Sequence, residues 1–184
     1  MNQRILGIDP GTRVVGYCVL DVAGVNNTPA VCEITAGYSR LQLHRQPNCK
    51  SRIIEYGIVK AATKDTTDLG SRLNKIYQEL TEIIRIHKPT AVALENVFYA
   101  KDVQAMVKLG EGRAIAILAA AQAGIPLFEY SPAEVKKSVT GNGRADKTQV
   151  AEMVKHILGL SELPKPADAS DAIAIAICHT HRTL

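Results

Sequence analysis

Apolar and polar positions along the first half of the chain follow two different periods. Residues 3 to 9 form a short apolar run that ends at a Pro-Gly turn, and residues 14 to 21 alternate and are rich in β-branched side chains. This pattern predicts two strands joined by a tight turn. Residues 53 to 61 resume the strand pattern, and from Leu69 to Pro89 apolar residues recur at helical spacing. The chain is therefore expected to open with a hairpin and a third strand before its first helix.

The second half of the chain is expected to alternate strands with helices. Apolar runs at 90 to 94 and 125 to 130 predict buried strands, and the Ala-rich stretch from 101 to 123, closed by Gly124, predicts a long helix between them. Further helices are predicted over 132 to 139, 147 to 158 and 168 to 181. Early strands that follow one another closely pair antiparallel, whereas strands joined through helices run parallel. The expected fold class is α/β, with a mixed five-stranded sheet flanked by helices.

Length and composition favour a single domain over residues 1 to 184. Hydrophobic residues make up 46% of the chain and charged residues 22%, which excludes a disordered chain, and no apolar run reaches the roughly 18 residues of a membrane span. The segment from about 22 to 51 has weak periodicity and is interpreted as an insertion. The four cysteines form no C-x-x-C pair and no export signal is evident, so we expect a cytoplasmic protein without a membrane partner.

The net charge of +4 can be traced to that insertion. The chain has 22 Lys and Arg against 18 Asp and Glu, and no acid lies between Glu33 and Glu55. The bases in this stretch are Arg40, Arg45, Lys50 and Arg52. They equal the whole excess of positive charge, which is compatible with a polyanionic partner such as nucleic acid.

Acidic residues fall at the ends of two predicted strands and at the start of the last helix. Asp9 closes the first strand and Glu95 follows the fourth, and the carboxyl ends of neighbouring parallel strands meet at one edge of a sheet. Asp168 and Asp171 lie three residues apart and therefore share one helix face. Taken singly, each acid has an ordinary explanation as a turn former, a solvated strand end or a helix cap.

The four acids taken together predict a metal site. Carboxylates about 4 Å apart repel by about 4 kcal/mol at an effective dielectric of about 20, so a fold that converges them needs a cation. Oxygen ligands favour Mg²⁺ or Mn²⁺. Two such ions can activate water and stabilise the leaving oxygen of a phosphodiester. The chemistry we expect is metal-dependent hydrolysis of nucleic acid.

Four sequence blocks carry a resemblance to a known family. They are LGIDPGTRVVGY at 6 to 17, LENVFYAK at 94 to 101, VKKSVTGNGRADKTQVAEMV at 135 to 154 and ADASDAIAIAICH at 167 to 179. In this order they resemble the motifs of RuvC-type Holliday-junction resolvases. The resemblance implies a ribonuclease H-like fold and a homodimer that makes paired symmetric nicks in like strands of four-way DNA junctions during recombination and repair. It also implies Mg²⁺, two ions per subunit, with Mn²⁺ as a substitute, and the RuvA-RuvB branch-migration complex as a partner.

The resemblance also assigns site residues. The family's catalytic, metal-binding positions correspond here to Asp9, Glu95, Asp168 and Asp171. Phe98 matches an aromatic residue that stacks on a junction base, a contact worth about 1 to 3 kcal/mol, and packing in the core is its alternative. Lys136 and Lys147 match basic positions used for DNA, and Arg144 lies on the loop between them. Solvated surface positions are the alternative for these bases.

Part of the long helix departs from the family pattern. The family usually shows Leu-Gly-Gln-Ala-Arg-Gly, and this chain has Leu-Gly-Glu-Gly-Arg-Ala at 109 to 114, which leaves DNA contact by Arg113 open. The run AIAILAAAQA that follows offers small side chains. These suit close packing across a dimer or, equally, packing on the chain's own sheet.

Other functions remain as alternatives. Actin-like and sugar-kinase-like ATPases share the Asp-x-Gly-Thr hairpin of residues 9 to 12, but they need two domains to enclose a nucleotide. The loop GNGRADKT at 141 to 148 is not a P-loop, because Asp146 stands where Gly must precede the Lys. A related nuclease that processes RNA and a catalytically silent junction-binding module are two further candidates. A zinc site from the sequence CHTH at 178 to 181 is disfavoured, because adjacent helical side chains point about 100° apart.

Overall fold

A computed structural model describes residues 3–23, 50–64, 68–96 and 103–183 of the chain. Within these ranges the elements are β1 Gln3–Asp9, β2 Val14–Ala23, β3 Lys50–Lys60, α1 Leu69–His87, β4 Ala91–Glu95, α2 Val103–Gln122, β5 Leu127–Tyr130, α3 Pro132–Thr140, α4 Lys147–Leu158 and α5 Ala167–Thr183. Every predicted strand and helix is present, with ends displaced by a few residues. No helix in the described part of the chain has the length and apolarity needed to cross a bilayer.

The strands form one mixed sheet in the order β3-β2-β1-β4-β5. β2 pairs antiparallel with β1, to which a tight turn joins it, and antiparallel with β3. β4 pairs parallel with β5, to which α2 connects it, and also with β1. The expected five-stranded mixed sheet is confirmed, and β1 occupies its centre.

Alternation along the strands divides the core into two layers. In β1, Ile5 faces the layer that contains α3, α4 and α5, and the next residue, Leu6, faces the layer that contains α1 and α2. Both side chains are fully buried, and burial of a side chain of this size contributes about 1.5–3 kcal/mol. The same alternation sends Asp9 to the face covered by α5, since it lies four residues after Ile5.

Polar caps fix the start of the helices beside the last loop. Ser131 and Glu134 form a capping box at α3, and this helix ends at Gly141, whose φ of 77° suits a residue without a side chain. Asp146 accepts a hydrogen bond from the backbone N–H of Gln149 and caps α4. The residue that rules out a P-loop is therefore the N-cap that begins α4. Asp168 is not a cap, because α5 begins one residue earlier and Asp168 lies within its first turn.

The predicted insertion connects β2 to β3. Its expected limits of about 22 and 51 need correction, because Val22 pairs with Ser51 and Ala23 with Lys50 in the sheet. Residues 24–49, which include Arg40 and Arg45, lie outside the described residues. Since β2 runs antiparallel to β1, this connection leaves the sheet at the end opposite Asp9.

Candidate active site

Two of the predicted acids lie side by side at the carboxyl ends of the central strands. The parallel register of β1 and β4 pairs Ile8 with Leu94, so the next residues, Asp9 and Glu95, are neighbours at one sheet edge. Beyond Glu95 the backbone N–H of Asn96 donates to the carbonyl of Tyr130 at 2.8 Å. This bond ties the end of β4 to the end of β5 and fixes the edge on which the carboxylates lie.

The first turns of α5 bring the other two acids to the same edge. α5 packs directly on β1 and β2, and the backbone of Asp168 lies so close to Gly16 that a Cβ on this glycine would contact the Asp168 carbonyl oxygen. Gly16 is in turn the partner of Asp9 in the β1–β2 ladder. Asp171 follows one turn later on the same face of the helix. The structure thus gathers all four acids at one end of the sheet.

The electrostatics of these carboxylates reflect their proximity. Burial, followed by the charges of Glu95, Asp171 and Asp168, raises the pKa of Asp9 to about 8. Burial and the charge of Asp171 also raise the pKa of Glu95. Lys147 acts in the opposite direction on both groups. The site therefore carries negative charge that the described residues neutralise only in part.

The basic residues that are predicted to contact DNA lie at different distances from the four acids. Lys147, the first residue of α4, donates a hydrogen bond from Nζ to Oδ2 of Asp171 at 2.8 Å. Lys136 lies close enough to Glu95 for its charge to oppose, in small part, the rise in the pKa of that carboxyl that burial and Asp171 cause. Arg144 is exposed on the preceding loop. Phe98 lies outside the described residues.

The chemistry of the four carboxylates suits a hard divalent cation, although their side chains are not arranged around a single metal position. Four carboxylates supply only oxygen ligands, which Mg²⁺ and Mn²⁺ prefer. Among the residues that the structure describes, however, no three His, Cys, Asp or Glu side chains are arranged to hold a metal ion. The same finding leaves the zinc alternative without a site there. His179 instead pairs with the Tyr130 hydroxyl at 2.7 Å, and His181 with the Ser138 hydroxyl at 3.0 Å.

The altered segment of the long helix has a packing role that the sequence did not reveal. A Cβ on Gly112 would lie 2.5 Å from the carbonyl oxygen of Gly11, so the glycine lets α2 approach the turn that follows Asp9. Arg113 forms an ion pair with Glu129 of β5. The sequence leaves open whether Arg113 contacts DNA. In the structure its guanidinium pairs with a carboxylate of the same chain.

Comparison with known proteins identifies the family. The sequence profile of the family described as crossover junction endodeoxyribonuclease RuvC matches residues 34–179. A protein of that name from Pelotomaculum thermopropionicum is 40% identical over 177 residues, which cover 96% of this chain and 92% of that protein. The chain belongs to the RuvC family. As a member it is a crossover junction endodeoxyribonuclease, and the resemblance read from the four sequence blocks is confirmed.

Further RuvC proteins agree with this assignment. The RuvC protein of Caldanaerobacter subterraneus subsp. tengcongensis is 39% identical over 179 residues, which cover 97% of this chain and 93% of that protein. The profile match begins at residue 34, so the family pattern extends into the segment that connects β2 and β3.

Solved structures confirm the ribonuclease H-like fold. Thermus thermophilus RuvC is 31% identical with a TM-score of 0.77, and the match covers 100% of this chain and 95% of that one. The same protein in complex with a Holliday-junction substrate matches with a TM-score of 0.79 at 30% identity, over 98% of this chain and 94% of that one. The yeast mitochondrial resolvase Ydc2, at 14% identity and a TM-score of 0.59, shares the fold.

Proposed function

We propose that this RuvC-family enzyme makes paired symmetric nicks in four-way DNA junctions, with Asp9, Glu95, Asp168 and Asp171 as its metal ligands and Mg²⁺ as the metal. The observation that carries the proposal is the gathering of four carboxylates at the carboxyl ends of β1 and β4. There burial and mutual repulsion raise the pKa of Asp9 to about 8. A divalent cation would relieve this repulsion, and two ions per subunit, with Mn²⁺ as a substitute, fit the number of ligands.

The described residues would divide the work at this site. A bound divalent cation supplies activation of a water molecule and stabilisation of the leaving oxygen. Asp9 and Glu95 hold their positions through the strand pairing, and Asp168 and Asp171 through the packing of α5. Their carboxylates would hold the cation at the carboxyl ends of β1 and β4.

Basic and aromatic residues around the carboxylates would bind the DNA itself. Lys136, Arg144 and Lys147 would contact backbone phosphates, since contacts of this kind dominate DNA affinity. Phe98 would stack on a junction base, as the family resemblance implies. Because Lys147 is bound to Asp171 in the structure, its contact with a phosphate would require it to leave that carboxylate.

We also propose a homodimer that is formed through α2. Ala116, Ala119 and Ala120 of this helix are buried against the chain's own core. On the opposite face Val107 is 56% and Leu118 45% exposed, and two exposed alanines, Ala114 and Ala121, continue the stripe at helical spacing. Two sites related by a two-fold axis suit two like strands of a symmetric junction. One face of α2 therefore packs on the chain's own core, and the opposite face would pack across the dimer.

The remaining partners follow from this function. A junction that is moved by branch migration presents new sequence to the nuclease, which supports the RuvA-RuvB complex as a partner. DNA as the substrate agrees with the expected cytoplasmic location.

One experiment tests the central proposal. A synthetic four-way junction with labelled arms is incubated with the protein and Mg²⁺, and with the variants Asp9→Asn and Lys155→Asn, the second being a control at the far end of α4. Symmetric nicks by the wild type and the control, with binding but no cutting by Asp9→Asn, are expected. Cleavage of RNA alone, or binding without cutting by the wild type, would contradict the proposal.

A further inference from the structure

We propose that Gly16 and Gly7 are positioning residues for the active site, because their missing side chains set how closely Asp168 and Asp171 approach Asp9. The inference rests on the proposed function, since it assigns to these two glycines the geometry of the same carboxylates. Neither glycine belongs to the set of acids and bases that the sequence singled out.

Gly16 supplies the more direct contact. It lies on β2 opposite Asp9, and a Cβ at this position would meet the carbonyl oxygen of Asp168 and lie 3.2 Å from the backbone nitrogen of Ala169. The three heavy atoms nearest to this Cβ all belong to the backbone. No side-chain rotation could therefore make room for a methyl group.

Gly7 makes the matching contact one turn further along α5. It lies on β1, two residues before Asp9, and its Cβ would meet the carbonyl oxygen of Ala172 and lie 2.9 Å from the Cβ of Ala176. Both alanines are fully buried. At these two points α5 approaches the backbones of two adjacent strands directly, and the two points flank Asp171 along the helix.

This close packing has a geometric consequence for the acids. A methyl group at Gly16 would force the first turn of α5 away from the sheet, and Asp168 and Asp171 would move with it. Asp9 and Glu95 would stay, because strand pairing holds them. Misplacement of a reacting group by about 1 Å can reduce the rate about 100-fold, so the effect should fall on metal binding and catalysis before it falls on DNA affinity.

Gly16→Ala is the primary test, and Gly57→Ala is its matched control. Gly57 also lies in a strand, but the three heavy atoms nearest to its Cβ would be side-chain atoms of Tyr17, at 3.1–3.3 Å. Three quantities are measured: the Mn²⁺ dissociation constant without DNA by electron paramagnetic resonance, junction affinity in Ca²⁺, and the Mg²⁺ dependence of cutting. For Gly16→Ala we expect weaker Mn²⁺ binding, a rate reduced about 100-fold and junction affinity within about twofold of the wild type. Gly57→Ala should match the wild type in all three measurements.

A compensating substitution separates positioning from general damage. Asp168→Glu lengthens the ligand by one methylene, so it should weaken Mn²⁺ binding in the wild-type background and strengthen it in the Gly16→Ala background. Equal losses in both backgrounds would overturn the proposal. A Gly16→Ala chain that does not fold, while Gly57→Ala does, would also overturn it, because the glycine would then serve the fold alone. Absence of cutting by the wild type would contradict the proposed function instead, and the Mn²⁺ comparison would still decide this inference.

Discussion

The ammonium nitrogen of Lys147 lies 2.8 Å from Oδ2 of Asp171, across the gap between the start of α4 and the first turn of α5. The lysine side chain is 76% exposed, so the pair adds little to stability. Its main effect is on the charge of the site. Lys147 partly neutralises the carboxylates that raise the pKa of Asp9 and Glu95.

Removal of this ammonium group should increase the response of the protein to metal. In Lys147→Gln the carboxylates lose the cation that pairs with Asp171, so the rise in Tm on addition of Mg²⁺ should exceed that of the wild type. The salt dependence of junction binding should lose about 0.9 from its slope if the lysine also contacts a phosphate. Differential scanning fluorimetry and a salt titration provide the two measurements. Lys155→Gln, on the same helix, is the control, and an equal response of the two variants would show that the contact with Asp171 has no special effect.

The ionisation of Asp9 should make the metal-free protein less stable as the pH rises. Its pKa is raised from 3.8 to about 8 in the folded state, so the folded protein holds this proton more tightly than the unfolded chain does. The resulting stability is present below about pH 4 and is lost as the pH approaches 8, by a few kcal/mol in all. Asp9→Asn removes this titration, and its Tm in EDTA should increasingly exceed that of the wild type between pH 4 and pH 8. A constant difference across that range would mean that Asp9 ionises normally.

A charge on the exposed face of α2 should separate the proposed dimer. Leu118→Glu places a carboxylate among the exposed apolar residues of α2. In a two-fold symmetric interface the two introduced carboxylates, one from each subunit, would lie close together and repel. Sedimentation velocity should then show monomers at concentrations where the wild type is dimeric, and paired nicking should become independent single nicks. Ile86→Glu is the control, because Ile86 is 56% exposed but lies on α1. Dimers of unchanged stability in Leu118→Glu would exclude this face as the interface.

The basic segment between β2 and β3 should affect DNA affinity without affecting the chemical step. Its flanking residues, Ala23 and Lys50, lie at the end of the sheet opposite Asp9. Replacement of Arg40 and Arg45 in this segment, together with Lys50 and Arg52 at the start of β3, by Gln should flatten the salt dependence of junction binding by about 0.9 for each phosphate that these side chains neutralise in the wild type. The single-turnover rate at saturating junction should stay the same. An unaltered slope would show that these residues do not contact DNA.

Sequence patterns were sufficient for the elements and for the acids because both follow local rules. Periodicity located the strands and helices, and the carboxyl ends of parallel strands placed Asp9 beside Glu95. The contacts between elements followed no local rule. The pairing of Arg113 with Glu129 and the approach of Gly16 to Asp168 depend on how helices lie on the sheet, and neither is visible as a spacing along the chain. The sequence also offers no reason for Gly112, which departs from the family pattern. The reason is its close contact with Gly11, which only the structure shows.

Helix caps fix both ends of the loop that precedes α4. Gly141 ends α3 in a left-handed conformation, and Asp146 starts α4 as its N-cap. Each residue of an α-helix turns its side chain by about 100° relative to the one before. Insertion or deletion of one residue that moved the cap would therefore rotate Lys147 away from the carboxylates, even though every side chain in the site was retained. The length of this loop, as much as its composition, sets the direction in which the lysine points.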